Sequence, residues 1–257
     1  MARAAALITG ASSGIGAELA KLCAADGYAP VLVARHTEAL FRLSAELAAR
    51  FGVNSRVLAA DLAEPAAPQA VFDALEGETP AILINNAGFG WRGAFREADF
   101  AAQSGMIEVN VGALAHLTRL FLPGMCARAS GRILNVASTA AFVPGPYMAV
   151  YYATKAFVFS FSLAVAEELK GSGVTMTVLC PGPTRTSFGA VAGLANSKLF
   201  QGPAMDAAEV ARIGYQAMRA GKTEVIAGAR NRWMMWGTRF APRGILTRVT
   251  ARLNSPV

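Results

Sequence analysis

The sequence predicts an α/β fold in which a doubly wound parallel sheet is covered by helices on both faces. Seven short apolar runs recur along the chain, separated by segments in which apolar residues follow helical spacing. A glycine-rich turn joins the first run directly to the first helical segment. Of the 257 residues, 54% are hydrophobic and 16% charged, enough apolar surface to bury both faces of a sheet and too much for a disordered chain.

Taken in order, the strands are AALIT (5–9), PVLVA (30–34), RVLAA (56–60), AILIN (81–85), RILNVAS (132–138), VTMTVLC (174–180) and TEVIAG (223–228). Helical periodicity covers Gly16 to Ala25, Glu38 to Phe51, Phe100 to Leu122 and Ala153 to Lys170. Strands alternating with helices require right-handed crossovers, which give a parallel sheet. The 22 uncharged residues from Ile133 to Thr154 are long enough for a bilayer, but Asn135, Pro144, Gly145 and Pro146 make them a buried strand, a loop and a helix start. Pro181 to Pro203 is irregular, and loops of that length in compact domains often act as lids. No linker or repeat divides the chain. One domain is expected, residues 1–228 with a substrate loop at 181–205, carrying residues 229–257 as a basic, apolar C-terminal extension.

The formal charge is +7, and the extension holds nearly all of it: Arg230, Arg232, Arg239, Arg243, Arg248 and Arg252, with no acid after Glu224. An almost neutral body excludes a uniformly basic nucleic-acid binder, whereas the tail suits an anionic surface. Cys23, Cys126 and Cys180 are odd in number, far apart and without metal-ligand spacing, so a reduced intracellular chain and no metal are expected. MARAAALITG has no long apolar region before a cleavage site and reads as a first strand.

In open α/β sheets ligands bind beyond the carboxyl ends of the strands. The first strand runs into Thr9-Gly10-Ala11-Ser12-Ser13-Gly14-Ile15-Gly16, where glycines let backbone N–H groups and a helix N-terminus approach a pyrophosphate. The second strand ends in Val33-Ala34-Arg35-His36. An acid there would bind the ribose 2′-hydroxyl of NAD; instead Arg35 is placed to pair with a 2′-phosphate, which predicts NADP(H) over NAD(H). Asp61-Leu62, after the third strand, is either an adenine cap or a helix N-cap ahead of Pro65.

Tyr151 and Lys155 are four residues apart, hence one turn apart on one helical face. An ammonium beside a phenol favours phenolate and brings the tyrosine toward working pH as a proton donor and acceptor. Tyr147 and Tyr152 have no lysine at i+4.

With Thr9-Gly10-x-x-x-Gly14-x-Gly16, Asp61, Asn85-Asn86-Ala87-Gly88, Asn110, Ser138, Tyr151-x-x-x-Lys155 and Pro181-Gly182 in this order, the chain resembles the short-chain dehydrogenase/reductase family, in its standard-length NADP(H)-dependent branch, from residue 5 to 228. The resemblance implies a Rossmann-type sheet with a seventh parallel strand. Tyr151 would be the general acid in reduction, Ser138 would hydrogen-bond the substrate carbonyl, and Lys155 would hold the nicotinamide ribose and depress the tyrosine pKa. Asn110 would keep a water linking Lys155 to solvent, and Asn86, Ala87 and Gly88 would border the adenosine ribose. Ser12, Ser13 and Ile15 belong to the cofactor turn, Ile15 toward its nicotinamide end; Pro181 and Gly182 lead to Thr184 and Thr186, which would touch the carboxamide. Ser13 stands where many members of that branch carry a base, which leaves phosphate recognition mainly to Arg35.

Around this constellation Phe89, Trp91, Phe142, Val143, Pro144, Met148, Phe188, Leu194, Leu199 and Phe200 predict an apolar ketone, aldehyde or alcohol substrate. A 3-oxoacyl thioester reductase is the enzymatic alternative, and a non-catalytic NADP(H) sensor or scaffold the alternative of another class. Intact Ser138, Tyr151 and Lys155 argue against the sensor, which has no chemical use for all three. Arginines interleaved with Trp233, Met234, Met235, Trp236 and Phe240 fit a peripheral membrane contact, an oligomer interface or a pocket cover equally. A cytoplasmic homodimer or homotetramer, built through the helices at 100–122 and 153–170, is what the resemblance implies.

Overall fold

In a computed structural model of the chain, residues 3–193 and 204–255 are described. The seven runs form one parallel sheet. β1 (Ala5–Thr9), β2 (Ala29–Ala34), β3 (Arg56–Ala59), β4 (Ile82–Asn85), β5 (Gly131–Val136), β6 (Val174–Cys180) and β9 (Glu224–Ile226) are ordered β3-β2-β1-β4-β5-β6-β9. The order reverses between β1 and β4, and that switch point opens a crevice at the strands' carboxyl ends. A second pair, β7 (Thr184–Arg185) and β8 (Met205–Asp206), ties the segment after β6 to the helix before β9.

Period-two alternation sends successive side chains to opposite faces, and each face has its own core. Ile8, Leu32, Ile84, Leu134 and Leu179 pack under α1 (Gly14–Ala25), α2 (Thr37–Phe51) and α8 (Ala207–Arg219). Leu7, Val33, Leu83, Ile133 and Met176 pack under α3 (Ala67–Asp73), α5 (Ala113–Ala127) and the end of α6 (Ala149–Glu168). Truncating a fully buried residue such as Leu83 or Phe121 to alanine costs roughly 2–5 kcal/mol, the lost transfer energy plus the cavity left behind.

Two helices differ from the sequence-based reading, both near the site. The expected helix from Phe100 to Leu122 is α4 (Phe100–Ile107), capped by Asp99, then a π turn over Glu108–Gly112, then α5, which runs on to Ala127. Such insertions in a helix concentrate at functional sites, and Asn110 lies in this one. α6 begins at Ala149 rather than Ala153, so Tyr151 sits in its first turn. Among the described residues α6 alone is long and apolar enough to cross a membrane, but Tyr151, Tyr152, Thr154, Lys155, Val158 and Ser162 bury one face of it against the sheet. After β6, the short α7 (Phe188–Val191) follows β7; residues 194–203 of the expected substrate loop lie outside the described residues. The extension forms α9 (Ala229–Thr238) and α10 (Arg243–Asn254).

A buried polar ladder underlies the crevice. Asn85 and Asn135 are register partners on β4 and β5; Asn85 donates to Asn135 (2.9 Å) and Thr118 (3.1 Å), and Asn135 donates to the Ser162 hydroxyl (2.9 Å). Buried amides are costly unless paired, so this chain of bonds fixes α5 and α6 against the sheet and sets the height at which α6 presents Tyr151 and Lys155.

Candidate active site

The crevice is a cavity of about 600 Å³, within the usual range for small-molecule sites. Its lining includes Gly10, Ser12, Ser13, Gly14, Ile15, Arg35, Asp61, Leu62, Asn86, Ala87, Gly88, Ser138, Tyr151, Lys155, Pro181, Gly182, Thr184 and Thr186. The loops after six neighbouring strands, together with α6, thus bring almost every expected residue to one place.

Two hydrogen-bonded clamps shape the cofactor end. The Thr9 hydroxyl accepts from the backbone N–H groups of Asn86 and Ala87, both at 3.0 Å, and the Asn86 amide donates back to the carbonyls of Thr9 (2.9 Å) and Gly10 (3.1 Å). Asn86 therefore holds the glycine turn with its side chain. Gly10 has φ of 64°, in the left-handed region, and a Cβ on Gly16 would overlap the Gly10 carbonyl. Glycine at positions 10 and 16 lets this turn pack tightly against the loop after β4, and the N-terminus of α1 that follows suits a pyrophosphate. On the far side, the Ser13 hydroxyl meets that of Ser187 at 3.1 Å. Arg35 and Asp61 lie 3.9 Å apart with side chains 59% and 43% exposed, and no acid ends β2. Asp61 also accepts from the Ala63 N–H (3.0 Å). It caps a turn rather than α3, which starts at Ala67, and it faces the cavity as well. The residues present fit a dinucleotide with a phosphorylated ribose.

At the catalytic end, Lys155 donates to the Val136 carbonyl (2.9 Å) with its ammonium 5.8 Å from the centre of the Tyr151 ring. Ser138 ends the loop after β5; its hydroxyl accepts from Ala140 N–H (3.1 Å) and donates to the Pro181 carbonyl at 3.4 Å, and it lies beside the phenol. The expected lowering of the Tyr151 pKa is not found. Burial pushes the phenol up, and Ser138 only partly offsets this. The reason is that Tyr151 and Lys155 are both nearly fully buried, at 8% and 5% exposure, so both charged forms are disfavoured; burial brings Lys155 down to about 8.

Asn110 does not line the cavity. Its side chain exchanges hydrogen bonds with the backbone of Phe89 (3.1 and 3.0 Å) and donates to the Thr154 hydroxyl (3.0 Å), which in turn donates to the Tyr151 carbonyl (2.7 Å). Each polar atom of the amide has a protein partner, and the side chain joins the loop after β4 to α6. Gly88 brings the pieces together: a Cβ there would stand 3.0 Å from Asn110 Oδ1 and 3.3 Å from Lys155 Nζ.

The substrate end corrects the sequence reading in both directions. Phe89, Val143, Met148 and Phe188 line the cavity, and the Phe188 ring packs 5.3 Å from that of Tyr151. Trp91 packs behind them, Phe142 turns away onto Phe159, and Pro144 is exposed. Leu194, Leu199 and Phe200 lie outside the described residues. The remaining wall comes from Met234 and Met235 of α9 and Val249, Thr250 and Leu253 of α10. Thr250 donates to the Pro144 carbonyl (2.6 Å), while fully buried Asn254 donates to the Pro146 carbonyl (3.1 Å) and pairs with the Tyr152 hydroxyl (3.2 Å). Of the three roles open to the tail, a pocket wall is therefore one that it fills. The local signal was weak: a lone Asn and Thr on a basic helix point nowhere without the fold.

Residues 4–195 match the family described as short chain dehydrogenase. The chain belongs to that family. Its relatives include a very-long-chain 3-oxoacyl-CoA reductase of Anas platyrhynchos, 34% identical over 184 residues, a match spanning 68% of this chain but 58% of the relative. A short-chain dehydrogenase from Sphingobium yanoikuyae in complex with NADPH superposes with a TM-score of 0.83 at 34% identity, over 92% of this chain and 93% of the other. A bulky-bulky ketone specific alcohol dehydrogenase from Comamonas testosteroni superposes with a TM-score of 0.79 at 30% identity, over 92% and 91%.

Proposed function

We propose that this short-chain dehydrogenase is an NADPH-dependent reductase of apolar carbonyl compounds, with Tyr151 as proton donor. The observation that carries the reading is the convergence of Ser138, Tyr151 and Lys155 at the junction between a glycine cradle and an apolar wall. The glycine turn and Arg35 would hold NADPH, which would supply the hydride to the carbonyl carbon when bound. The Ser138 hydroxyl and the Tyr151 phenol together hold the carbonyl oxygen and orient its carbon. As negative charge grows on that oxygen, Tyr151 gives up its proton and an alcohol leaves. A phenol kept neutral by burial is a competent donor at neutral pH. Lys155, brought to about 8, is still mostly protonated there and is close enough to neutrality to return a proton to the phenolate. Arg35 pairs with the 2′-phosphate, and the exposed apolar side chains Phe100, Ile107 and Phe157 on α4 and α6 support self-association. Free Cys23, Cys126 and Cys180 support a cytoplasmic setting, and the arginine-rich extension supports peripheral contact with a membrane.

A 3-oxoacyl thioester is the second reading for the substrate. It rests on what the curated relatives are named for and on Arg248 and Arg252, which flank Val249 and Leu253 of the pocket wall and suit an acidic carrier. NADPH oxidation against ketones, aldehydes, quinones and 3-oxoacyl thioesters decides between the two, with Tyr151→Phe alongside. Loss of the phenolic proton should cut turnover by about 10²–10⁴-fold. Full turnover in the mutant would overturn the assignment, and NADPH binding with no turnover of any class would favour a sensor.

A further inference from the structure

The extension presents two faces, and the pocket opens between them. On α9, Met234 and Met235 line the cavity, whereas Trp233 and Trp236 point outward with 70% and 53% exposure. Trp233, Trp236 and Phe240 form a continuous exposed ladder, with ring centres 6.0 and 4.9 Å apart and edge-to-face geometry. Ile245 and Val249, one turn apart on α10, are exposed as well. Val249 and Met234 are both half exposed and line the cavity, so the pocket mouth lies at the rim of this apolar patch.

The surroundings of the patch select its partner. All six arginines of the extension are exposed, and no acid occurs anywhere from residue 225 onward. A second copy of the chain would have to pair this surface with itself, opposing arginine to arginine. Amphipathic helices that lie in a bilayer combine large apolar side chains, an arginine-rich flank and little negative charge; α9 and the turn after it supply the aromatics, and α10 supplies Ile245, Val249 and three arginines. Tryptophan ring edges suit the headgroup level, and arginine suits lipid phosphates.

We propose that α9 and α10 dock on an anionic bilayer through Trp233, Trp236, Phe240 and Ile245 with their flanking arginines, and that the pocket takes its substrate directly from the lipid. This rests on the reductase reading for the reaction and narrows its substrate class to carbonyl compounds that partition into membranes. Docking would turn the mouth at Met234 and Val249 toward the acyl region, so that a long apolar chain reaches Tyr151 without crossing water.

The test uses the full chain, vesicles of phosphatidylcholine with or without about one-fifth phosphatidylglycerol, and two variants: Trp233→Ser/Trp236→Ser/Phe240→Ser, and Arg232→Glu/Arg239→Glu. None of these five residues lines the cavity. The wild type should co-sediment with the anionic vesicles at low salt and with the neutral ones far less, and each variant should lose at least about tenfold in binding. Turnover of a water-soluble ketone without vesicles should be the same in all three proteins, which also checks that the variants fold. A membrane-dissolved long-chain ketone should be reduced several-fold faster by the wild type than by either variant. Absence of co-sedimentation at low salt, or equal binding by the aromatic variant, would overturn the proposal. So would a dimer in vesicle-free sedimentation that the aromatic variant converts to monomer, because the patch would then be a self-association face. Vesicle binding without turnover of any carbonyl sinks the reductase reading, whereas turnover without vesicle binding sinks only the docking.

Discussion

Replacing Arg35 by serine isolates one charge at the far end of the cradle. Its present partner is Asp61, 3.9 Å away, and both side chains are about half exposed. An ion pair of that length in water is worth roughly 0–1 kcal/mol, because solvent screens it and two flexible side chains must be ordered. A 2′-phosphate on the guanidinium would make charge-assisted hydrogen bonds worth about 1.5–3 kcal/mol. Giving up Asp61 is therefore cheap, and the difference should appear almost whole in NADPH affinity. Arg35→Ser should raise the Kd for NADPH by about 10–100-fold and change that for NADH by less than about threefold. Fluorescence titration of both nucleotides against both proteins measures this, and a salt series adds a second readout, since NADPH affinity should fall more steeply with ionic strength in the wild type than in the variant. Equal loss for NADPH and NADH would mean that Arg35 only supports the local fold, and no loss for either would remove it from the site.

Further perturbations probe other parts of the molecule. Asn254→Leu strands the buried Tyr152 hydroxyl and the Pro146 carbonyl; thermal unfolding should show a loss of about 1–3 kcal/mol, together with a raised KM for bulky ketones and a smaller change for small ones. Gly16→Ala forces a methyl group against the Gly10 carbonyl and the Asn86 amide, and should cost about 1–3 kcal/mol while abolishing nucleotide binding in the same titration. Lys155 titrates near 8 in the fold against 10.5 in the unfolded chain. Between those values the unfolded state holds the extra proton, so stability from this group rises with pH. The unfolding free energy of wild type minus that of Lys155→Met should thus grow by about 2 kcal/mol from pH 7 to 10 in denaturant titrations; a flat difference would contradict the buried, depressed ammonium.

What could be read without coordinates shares one physical property, locality. The sheet was legible because period-two and short apolar runs are contiguous, and the cofactor cradle because a tight turn between strand and helix needs its glycines within a few residues. Tyr151 and Lys155 were legible for the same reason, since one helical turn is a sequence distance of four. Three features were not. The π turn at Asn110 leaves helical composition unchanged, so the periodicity of 100–122 continued through it. The direction of the Tyr151 shift depends on burial from every side, which outweighs the one neighbouring charge that spacing reveals. The substrate wall unites Val143 and Met148 with Val249 and Leu253, about a hundred residues away, and no local pattern encodes that meeting.

The same division limits what kinship can transfer. The family match ends at residue 195, and Met234, Met235, Val249, Thr250 and Leu253 all lie beyond it. Inside the match are the residues proposed to hold a nucleotide and move a proton, tasks set by backbone geometry and by a few polar groups that differ little from one carbonyl to another. Outside it lies part of the apolar wall, Met234, Met235, Val249 and Leu253, which meets Phe89, Val143, Met148 and Phe188 from within the match. A family match can therefore carry the chemistry of the reaction without carrying its substrate. Thr250 and Asn254 hook α10 to the loop before α6, and on the proposed reductase reading that attachment would set specificity. Exchanging residues 229–255 for those of a structural neighbour should change the preferred ketone while leaving NADPH affinity in place. A chimera that kept the original preference would return the determinants to Phe89, Met148 and Phe188.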